Sequence, residues 1–252
     1  MRVIDRFEHK YKINISEYHQ IKSQIMSYMD LDTYTLKASD KKYLVKSLYY
    51  DTHDFKAYQD KQYGDYSRIK LRLRSYYDTY SDNVPINVEL KTRLGLNMKK
   101  YSVSVLGSEY RIFMETGHWP NKNEVLIEFE RLVRLNHLAP KTLVRYHREG
   151  LIPRNRENFR VTFDHGVKSV SSDDLFPENP LYQLHDHYKN IILEIKSTGE
   201  LPYWMQRIIQ QYGLKAISNS KYGQSVELTR HDIVMPSSDH MISSFYSMKG
   251  SE

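Results

Sequence analysis

The stretch S-R-I-K-L-R-L-R-S-Y, Ser67 to Tyr76, constrains the fold more than any other. Strand side chains point alternately to opposite faces, so Arg68, Lys70, Arg72 and Arg74 share one face while Ile69, Leu71 and Leu73 share the other. The apolar face must meet a core. The other carries four cations in a row, and neighbours about 7 Å apart repel by roughly 2 kcal/mol at an effective dielectric near 20. Such a face is either the solvated outer side of an antiparallel sheet or the wall of a site that meets an anion or paired carboxylates.

Other strands repeat the pattern. Val3 to Ile13 places Arg6, Glu8, Lys10 and Lys12 opposite Phe7, His9, Tyr11 and Ile13. Val84 to Thr92 sets Asn87, Glu89 and Lys91 against Ile86, Val88 and Leu90. After a turn at Gly95, Met98 to Val105 continues the basic theme with Lys99 or Lys100, and the alternation does not fix which of them shares the charged face. Lys141 to Arg148 groups Tyr146 and Arg148 with Val144, and Asn155 to Asp164 sets Arg160, Thr162 and Asp164 against Phe159, Val161 and Phe163. Asn190 to Ser197 puts Glu194 and Lys196 opposite Ile191, Leu193 and Ile195. With Tyr43 to Tyr50 the count is eight strands.

Amphipathic helices are expected between them. Ser16 is the expected N-cap of a helix running to Met29 with Tyr18, Ile21, Ile25 and Tyr28 on its apolar stripe. Leu31 to Asp40 reads as loop, and Asp54 to Lys61, Ser108 to Thr116 and Asn123 to Asn136 read as helices. Pro202 opens another, ending at Gly213. Ser218 to Leu228 reads as a short helix containing Ser220 and Lys221. Ser171 to Tyr188 is loop-like, and its pair His185 and His187, with Asp186 between them, could bind metal but lacks a third ligand. Residues 1–230 form one expected domain, and 231–252 an aperiodic, serine-rich C-terminal tail of the kind that stays flexible.

Charge then decides which way the strands face. Eight antiparallel strands close a barrel with one interior. If the charged faces point inward, the apolar faces point outward against the helices, which explains why amphipathic helices accompany strands so charged on their second face. The expected fold is therefore α+β: an eight-stranded antiparallel β-barrel around a cationic tunnel, with helices packed on the outside and Glu8, Glu89 and Glu194 as the chief carboxylates within. A net charge of +6 over 252 residues fits an anionic partner. Inward-facing cations are beyond the reach of a duplex, which argues against nucleic acid. The absence of cysteine excludes disulfides, thiolate metal sites and cysteine nucleophiles together. No apolar run is long enough to span a bilayer, and the N-terminal residues contain no signal-peptide core. A cytoplasmic protein with no transmembrane segment of its own is the expectation.

The order R-F-E-H-K-Y, S-L-Y-Y-D-T-x-D-F-x-A-Y, R-I-K-L-R-L-R, V-E-L-K-T, V-R-Y-H-R, R-V-T-F-D, I-L-E-I-K and S-K-Y resembles the VTC domain, the polyphosphate polymerase branch of the triphosphate tunnel metalloenzymes (CYTH-like superfamily), over about residues 1–230. Each motif is weak alone; eight in order are specific. The resemblance implies transfer of the γ-phosphate of ATP to a growing polyphosphate chain with a divalent metal, Mn2+ or Mg2+. It implies phosphate contacts from Lys10, Arg72, Arg74, Lys91, Arg148 and Lys221, from Lys99 or Lys100, and from Tyr146 and Ser220, with Glu194 as a metal ligand. Arg6, Lys70 and Lys196 share the charged faces and join the expected substrate contacts. Arginine forks hold phosphate oxygens bidentately and lysines supply point charge.

One departure bears on the reaction. Hydrolytic relatives carry E-x-E-x-K near the N-terminus, where this chain has Arg6, Glu8 and Lys10. Replacing the first glutamate by a cation weakens the activation of water and favours a phosphate acceptor. Glu8 either binds metal or pairs with a tunnel arginine. A tunnel triphosphatase or short-polyphosphate hydrolase and a non-catalytic polyphosphate-binding module are the alternatives. Eukaryotic family polymerases are joined to membrane segments, so a separate membrane partner is a further expectation.

Overall fold

The computed structural model describes residues 6–95, 97–155, 158–186 and 189–230, without the side chains of Arg6 and Asn97. The expected tail and His187 lie outside the described residues. Within them are ten strands: β1 (Arg6–Asn14), β2 (Met29–Leu31), β3 (Tyr43–Asp51), β4 (Ser67–Ser75), β5 (Pro85–Leu94), β6 (Asn97–Leu106), β7 (Ala139–Pro153), β8 (Phe159–Ser171), β9 (Gln183–Leu184) and β10 (Asn190–Thr198). Seven helices accompany them: α1 (Ile15–Ile25), α2 (Thr33–Lys37), α3 (Lys56–Gln62), α4 (Gly107–Thr116), α5 (Glu124–Leu135), α6 (Tyr203–Gln211) and α7 (Lys221–Thr229).

All ten strands belong to one sheet. Its main path runs β1-β10-β8-β7-β3-β4-β5-β6, with β2 added beside β7 and β9 beside β8, and every pairing is antiparallel. Of the expected barrel the structure shows the large antiparallel sheet: β1 and β6 end its path, and no ladder joins them among the described residues. The sheet still curls far enough for Glu8 on β1 to feel the charge of Lys91 on β5.

The apolar faces do point outward into helices. Leu71, Leu73, Ile86, Val88 and Leu90 pack beneath Tyr110 and Phe113 of α4 and Leu126, Phe129 and Leu132 of α5. Phe129 is fully buried and meets Tyr50 edge-on at 5.3 Å. On the other half, Ile13, Val161, Phe163, Leu193 and Ile195 pack against Tyr18, Ile21 and Ile25 of α1 and Met205 and Ile208 of α6. Each large apolar side chain so buried contributes about 1.5–3 kcal/mol relative to exposure. Not every helix is external, however. Tyr222 and Val226 of α7 and Tyr58 of α3 form a third cluster with Val45, Tyr49, Val144 and Tyr146, on the inner face.

Several boundaries differ from expectation for local reasons. α1 is capped by Asn14, not Ser16: the Asn14 side chain accepts from the backbone of Ser16 and Glu17, and Glu17 reaches back to the Asn14 amide. The helix stops at Ile25 because Met29 to Leu31 is taken up as β2 by pairing with β7. Asp32 caps the five-residue α2 inside the expected loop, a helix too short to show periodicity. β8 continues to Ser171 through Gly166, whose φ of 56° a glycine accommodates without strain. Ser220 caps α7 rather than lying within it.

Candidate active site

The β4–β5 ladder sets the basic row opposite a mixed one: Arg74 faces Asn87, Arg72 faces Glu89, Lys70 faces Lys91 and Arg68 faces Arg93. Cross-strand pairs share a face, so six cations and one carboxylate stand on the inner wall. Glu89 is 2% exposed. Arg72 Nε bonds one of its oxygens, and Lys100 Nζ bonds the other at 2.6 Å. Burial pushes the Glu89 carboxyl up, but Arg72, Arg74 and Lys100 outweigh it and bring its pKa to about 2. The β5–β6 register places Lys100 opposite Lys91 and Lys99 opposite Thr92. Lys100 therefore faces inward and Lys99 outward, which settles the alternative the sequence left open.

β1 and β10 form the second wall, with Lys10 opposite Glu194 and Glu8 opposite Lys196. Each carboxylate also pairs along its own strand, Glu8 with Lys10 at 2.9 Å and Glu194 with Lys196 at 2.6 Å. Of the two expected uses of Glu8, pairing with an arginine is replaced by pairing with Lys10. Glu194 is nearly buried, and burial raises its pKa; Lys196, Lys221, Lys10 and Arg148 together hold it well below the usual carboxylate range. The Glu8 carboxyl is likewise lowered, against burial, by Lys10, Lys196 and Lys91.

α7 crosses the interior and brings the third group. Arg148 grips Asp164 with Nε at 2.6 Å and Nη2 at 2.8 Å, and Lys221 Nζ lies 2.6 Å from the same carboxylate. The ring of Tyr146 lies under both cations, 5.2 Å from the Arg148 guanidinium carbon and 4.9 Å from Lys221 Nζ. Ser220 Oγ accepts from the Gly223 amide at 3.2 Å and fixes the start of α7. Ser220, Lys221 and Tyr222 all line the interior, so the partial positive charge of a helix N-terminus adds to the cations there.

Together these walls enclose a cavity of about 320 Å³. Among the described residues its lining contains eleven lysines and arginines against three glutamates. Glu8, Lys10, Lys70, Arg72, Arg74, Lys91, Tyr146, Arg148, Glu194, Lys196, Ser220 and Lys221 from the sequence-based set all reach it. Lys100 joins through Glu89, Lys99 does not, and the Arg6 side chain lies outside what is described. Sequence reasoning missed Lys61 of α3, Arg93, Tyr49 and Asn219 as lining residues. Arg93 was legible, since it continues the Glu89, Lys91 alternation by one step. Lys61 carries no such signal, because its helix is seven residues long.

No group of three or more His, Asp or Glu side chains suited to a metal occurs among the described residues. His185 is not a candidate: its ring bonds Ser169 and Gln224, and burial brings its pKa to about 4. Glu8 and Glu194 share the cavity and sense one another electrostatically. Two carboxylates of this kind fit a hard cation such as Mg2+ or Mn2+, which takes one or two protein carboxylates and completes its shell with phosphate oxygens and water.

Three solved structures are among those similar to this chain. A candidate adenylate cyclase from Bacillus halodurans aligns at a TM-score of 0.53 and 13% identity, over 86% of this chain and 96% of that one. A protein from Pyrococcus horikoshii aligns at 0.46 and 14% identity, over 90% and 99% of the two chains. The Mimivirus capping enzyme triphosphatase aligns at 0.33 and 10% identity, over 83% and 89%. No curated protein matches the chain. The VTC domain matches residues 5–230, nearly the whole chain and every strand of the cavity. The chain belongs to the VTC domain family and has the triphosphate tunnel fold.

Proposed function

We propose that this protein is a polyphosphate polymerase, transferring the γ-phosphoryl group of ATP to the end of an inorganic polyphosphate chain within its cationic cavity. Arg72, Arg74 and Arg148 grip phosphate oxygens, and Lys10, Lys91, Lys100 and Lys221 supply point charge around them. Lys70, Lys196, Tyr146 and Ser220 line the same space and complete the cradle. A terminal phosphate oxygen of the acceptor attacks the γ-phosphorus, the bond from that phosphorus to the β–γ bridging oxygen breaks, and ADP leaves with the bonding electrons. Transfer through a loose transition state asks mainly for positioning and stabilisation of charge. Glu8 and Glu194 would hold a divalent cation, Mn2+ or Mg2+, which when bound offsets charge on the β and γ oxygens.

One observation carries polymerisation over hydrolysis: each of the three lining glutamates is paired to a cation and held below its ordinary pKa. Carboxylates so stabilised are weak bases, and an efficient general base has a pKa near the working pH. Water needs such a base; an ionised phosphate end does not. ATP as donor fits a cytoplasmic site of action, and among the described residues no helix is long and apolar enough to cross a membrane.

The test is incubation of the purified chain with ATP and Mn2+, with products resolved on a gel stained for polyphosphate and free orthophosphate assayed in parallel. A ladder of long chains with matching ADP and little orthophosphate is expected. Orthophosphate without a ladder would mean a tunnel hydrolase, and saturable polyphosphate binding without turnover would mean a binding module.

A further inference from the structure

Tyr49 stands on the cavity wall between two of its arginines. The β3–β4 register sets Tyr49 opposite Arg72 and Ser47 opposite Arg74. The phenol oxygen accepts from Arg72 Nη1 at 3.1 Å, and Arg74 Nε is turned to Ser47 Oγ at 3.0 Å. Tyr49 is 8% exposed, and that exposure opens into the cavity. Its neighbour Tyr222, with ring centroids 5.1 Å apart, is in a different position: its hydroxyl donates to the buried carboxylate of Asp51. Among the described residues the Tyr49 hydroxyl has a donor but no acceptor. A buried hydroxyl proton without an acceptor is destabilising unless a ligand or water takes it, and Tyr49 lines the cavity.

We infer that Tyr49 is a phosphate-positioning residue, donating its hydroxyl proton to an oxygen of a phosphate held between Arg72 and Arg74, and that loss of this proton at alkaline pH loosens the cavity's hold on phosphate. The inference rests on the reading of the cavity as a phosphate site. Burial alone would push the phenol up, but Arg72, Arg74 and Lys221 bring its pKa down to about 8. The charged and titratable groups around it are Arg72, Arg74 and Lys70 on β4, Lys221 and Tyr222 on α7 with Asp51 behind, and Tyr146 and Tyr58 in the same cluster. A phenolate there removes a donor and sets a negative charge against the incoming anion. A bound phosphate does the reverse and holds the phenol neutral. Lys70 titrates in the same range, brought to about 8 chiefly by burial, so its contribution must be separated.

The experiment measures the affinity of the full chain for tripolyphosphate by calorimetry between about pH 6.5 and 9.5, for the native protein, Tyr49→Phe and Lys70→Arg. Native affinity should fall above about pH 8, by up to roughly tenfold per unit of pH. Tyr49→Phe should bind roughly tenfold or more weakly below pH 8 and keep only the shallower part of the fall that Lys70 contributes, while Lys70→Arg keeps the part that Tyr49 contributes. Without ligand, the tyrosinate absorbance of native minus Tyr49→Phe should rise near pH 8, and tripolyphosphate should move the rise upward. Native binding with a Tyr49→Phe variant unchanged in both affinity and pH profile would overturn the inference alone. Absence of tripolyphosphate binding by the native chain at every pH would overturn the phosphate reading on which it rests.

Discussion

Lys221 Nζ lies 2.6 Å from Oδ2 of Asp164, joining the first turn of α7 to the inner face of β8. The same carboxylate takes both forks of Arg148, so one fully buried anion holds two cavity cations from two elements. Burial opposes its ionisation, and Arg148 and Lys221 overcome that and hold its pKa below the usual range. Breaking a buried pair by removing one partner typically costs about 3–5 kcal/mol, because the remaining charge is left uncompensated. Asp164→Asn should destabilise the protein by that order, read as a lowered urea midpoint with unchanged slope. Tripolyphosphate should recover part of the loss by supplying the missing anion. A midpoint close to that of the native protein would show that Asp164 does not carry the two cations.

Arg74 and Lys221 test the cavity as a catalytic site. Among the described residues Arg74 forms no ion pair with a carboxylate, and its Nε bonds the Ser47 hydroxyl, so truncating it leaves no paired buried charge behind. Lys221→Ala leaves Asp164 in the grip of Arg148. Arg74→Ala and Lys221→Ala should therefore keep native circular dichroism and cooperative melting while phosphoryl transfer falls by roughly a hundredfold or more. Full activity in both folded variants would remove the cavity from the reaction.

Glu194→Gln separates charge from shape. The amide keeps the volume of the carboxylate beside Lys196 and Arg148 but is a far poorer ligand for a hard cation. The Mn2+ concentration for half-maximal activity should rise by roughly tenfold or more, with a smaller change in the KM for ATP. An Mn2+ titration that superimposes on the native curve would take Glu194 out of the ligand set.

Much of this site was legible because strand alternation binds face to residue number with no freedom left over. Once Arg72 is inward, Lys70 and Arg74 must be inward too, and the same parity delivers Glu8 with Lys10 and Glu194 with Lys196. Register was not legible. Whether Lys99 or Lys100 faces Lys91 depends on the length of the turn around Gly95, a property of two strands rather than one. Closure of the sheet was not legible for a similar reason: parity says which face is inside, but only hydrogen-bonded partners say whether β1 meets β6. The inward course of α7 also escaped, since Tyr222 and Val226 look like any apolar stripe until the cluster around Val45 and Val144 gives them a surface. Asp32 capping the short α2 over Gly150 was invisible for want of any periodic signal. Its carboxylate occupies the space a β-carbon at Gly150 would need.

The outer face carries the last prediction, on acid stability. Glu149 is fully buried beneath α1, on the side of β7 away from the cavity. Its carboxylate accepts from Tyr18 Oη at 2.7 Å and pairs with Lys22. Burial raises its pKa, but the neighbouring His165, 3.8 Å away, the paired Lys22 and the hydrogen bond from Tyr18 outweigh that and bring it from 4.5 to about 2. Between those two values the unfolded chain binds the proton and the folded chain does not, so stability is complete above about pH 4.5 and drains away as pH falls towards 2. Glu89 follows the same course inside the cavity. Glu149→Gln should lower stability at neutral pH and flatten its decline on acidification. Because Tyr18, Lys22 and His165, which hold the Glu149 side chain, do not line the cavity, tripolyphosphate affinity should stay at the native value. Glu89→Gln removes the partner of Arg72 and Lys100, so it should flatten the acid decline and also change phosphate binding. Urea titrations at intervals from pH 7 down to about 3, paired with calorimetry at neutral pH, read both effects. An acid decline in Glu149→Gln as steep as the native one would show that this carboxylate is not held ionised by its neighbours. Altered tripolyphosphate affinity in the same variant would show that the outer core and the cavity wall of β7 are not independent.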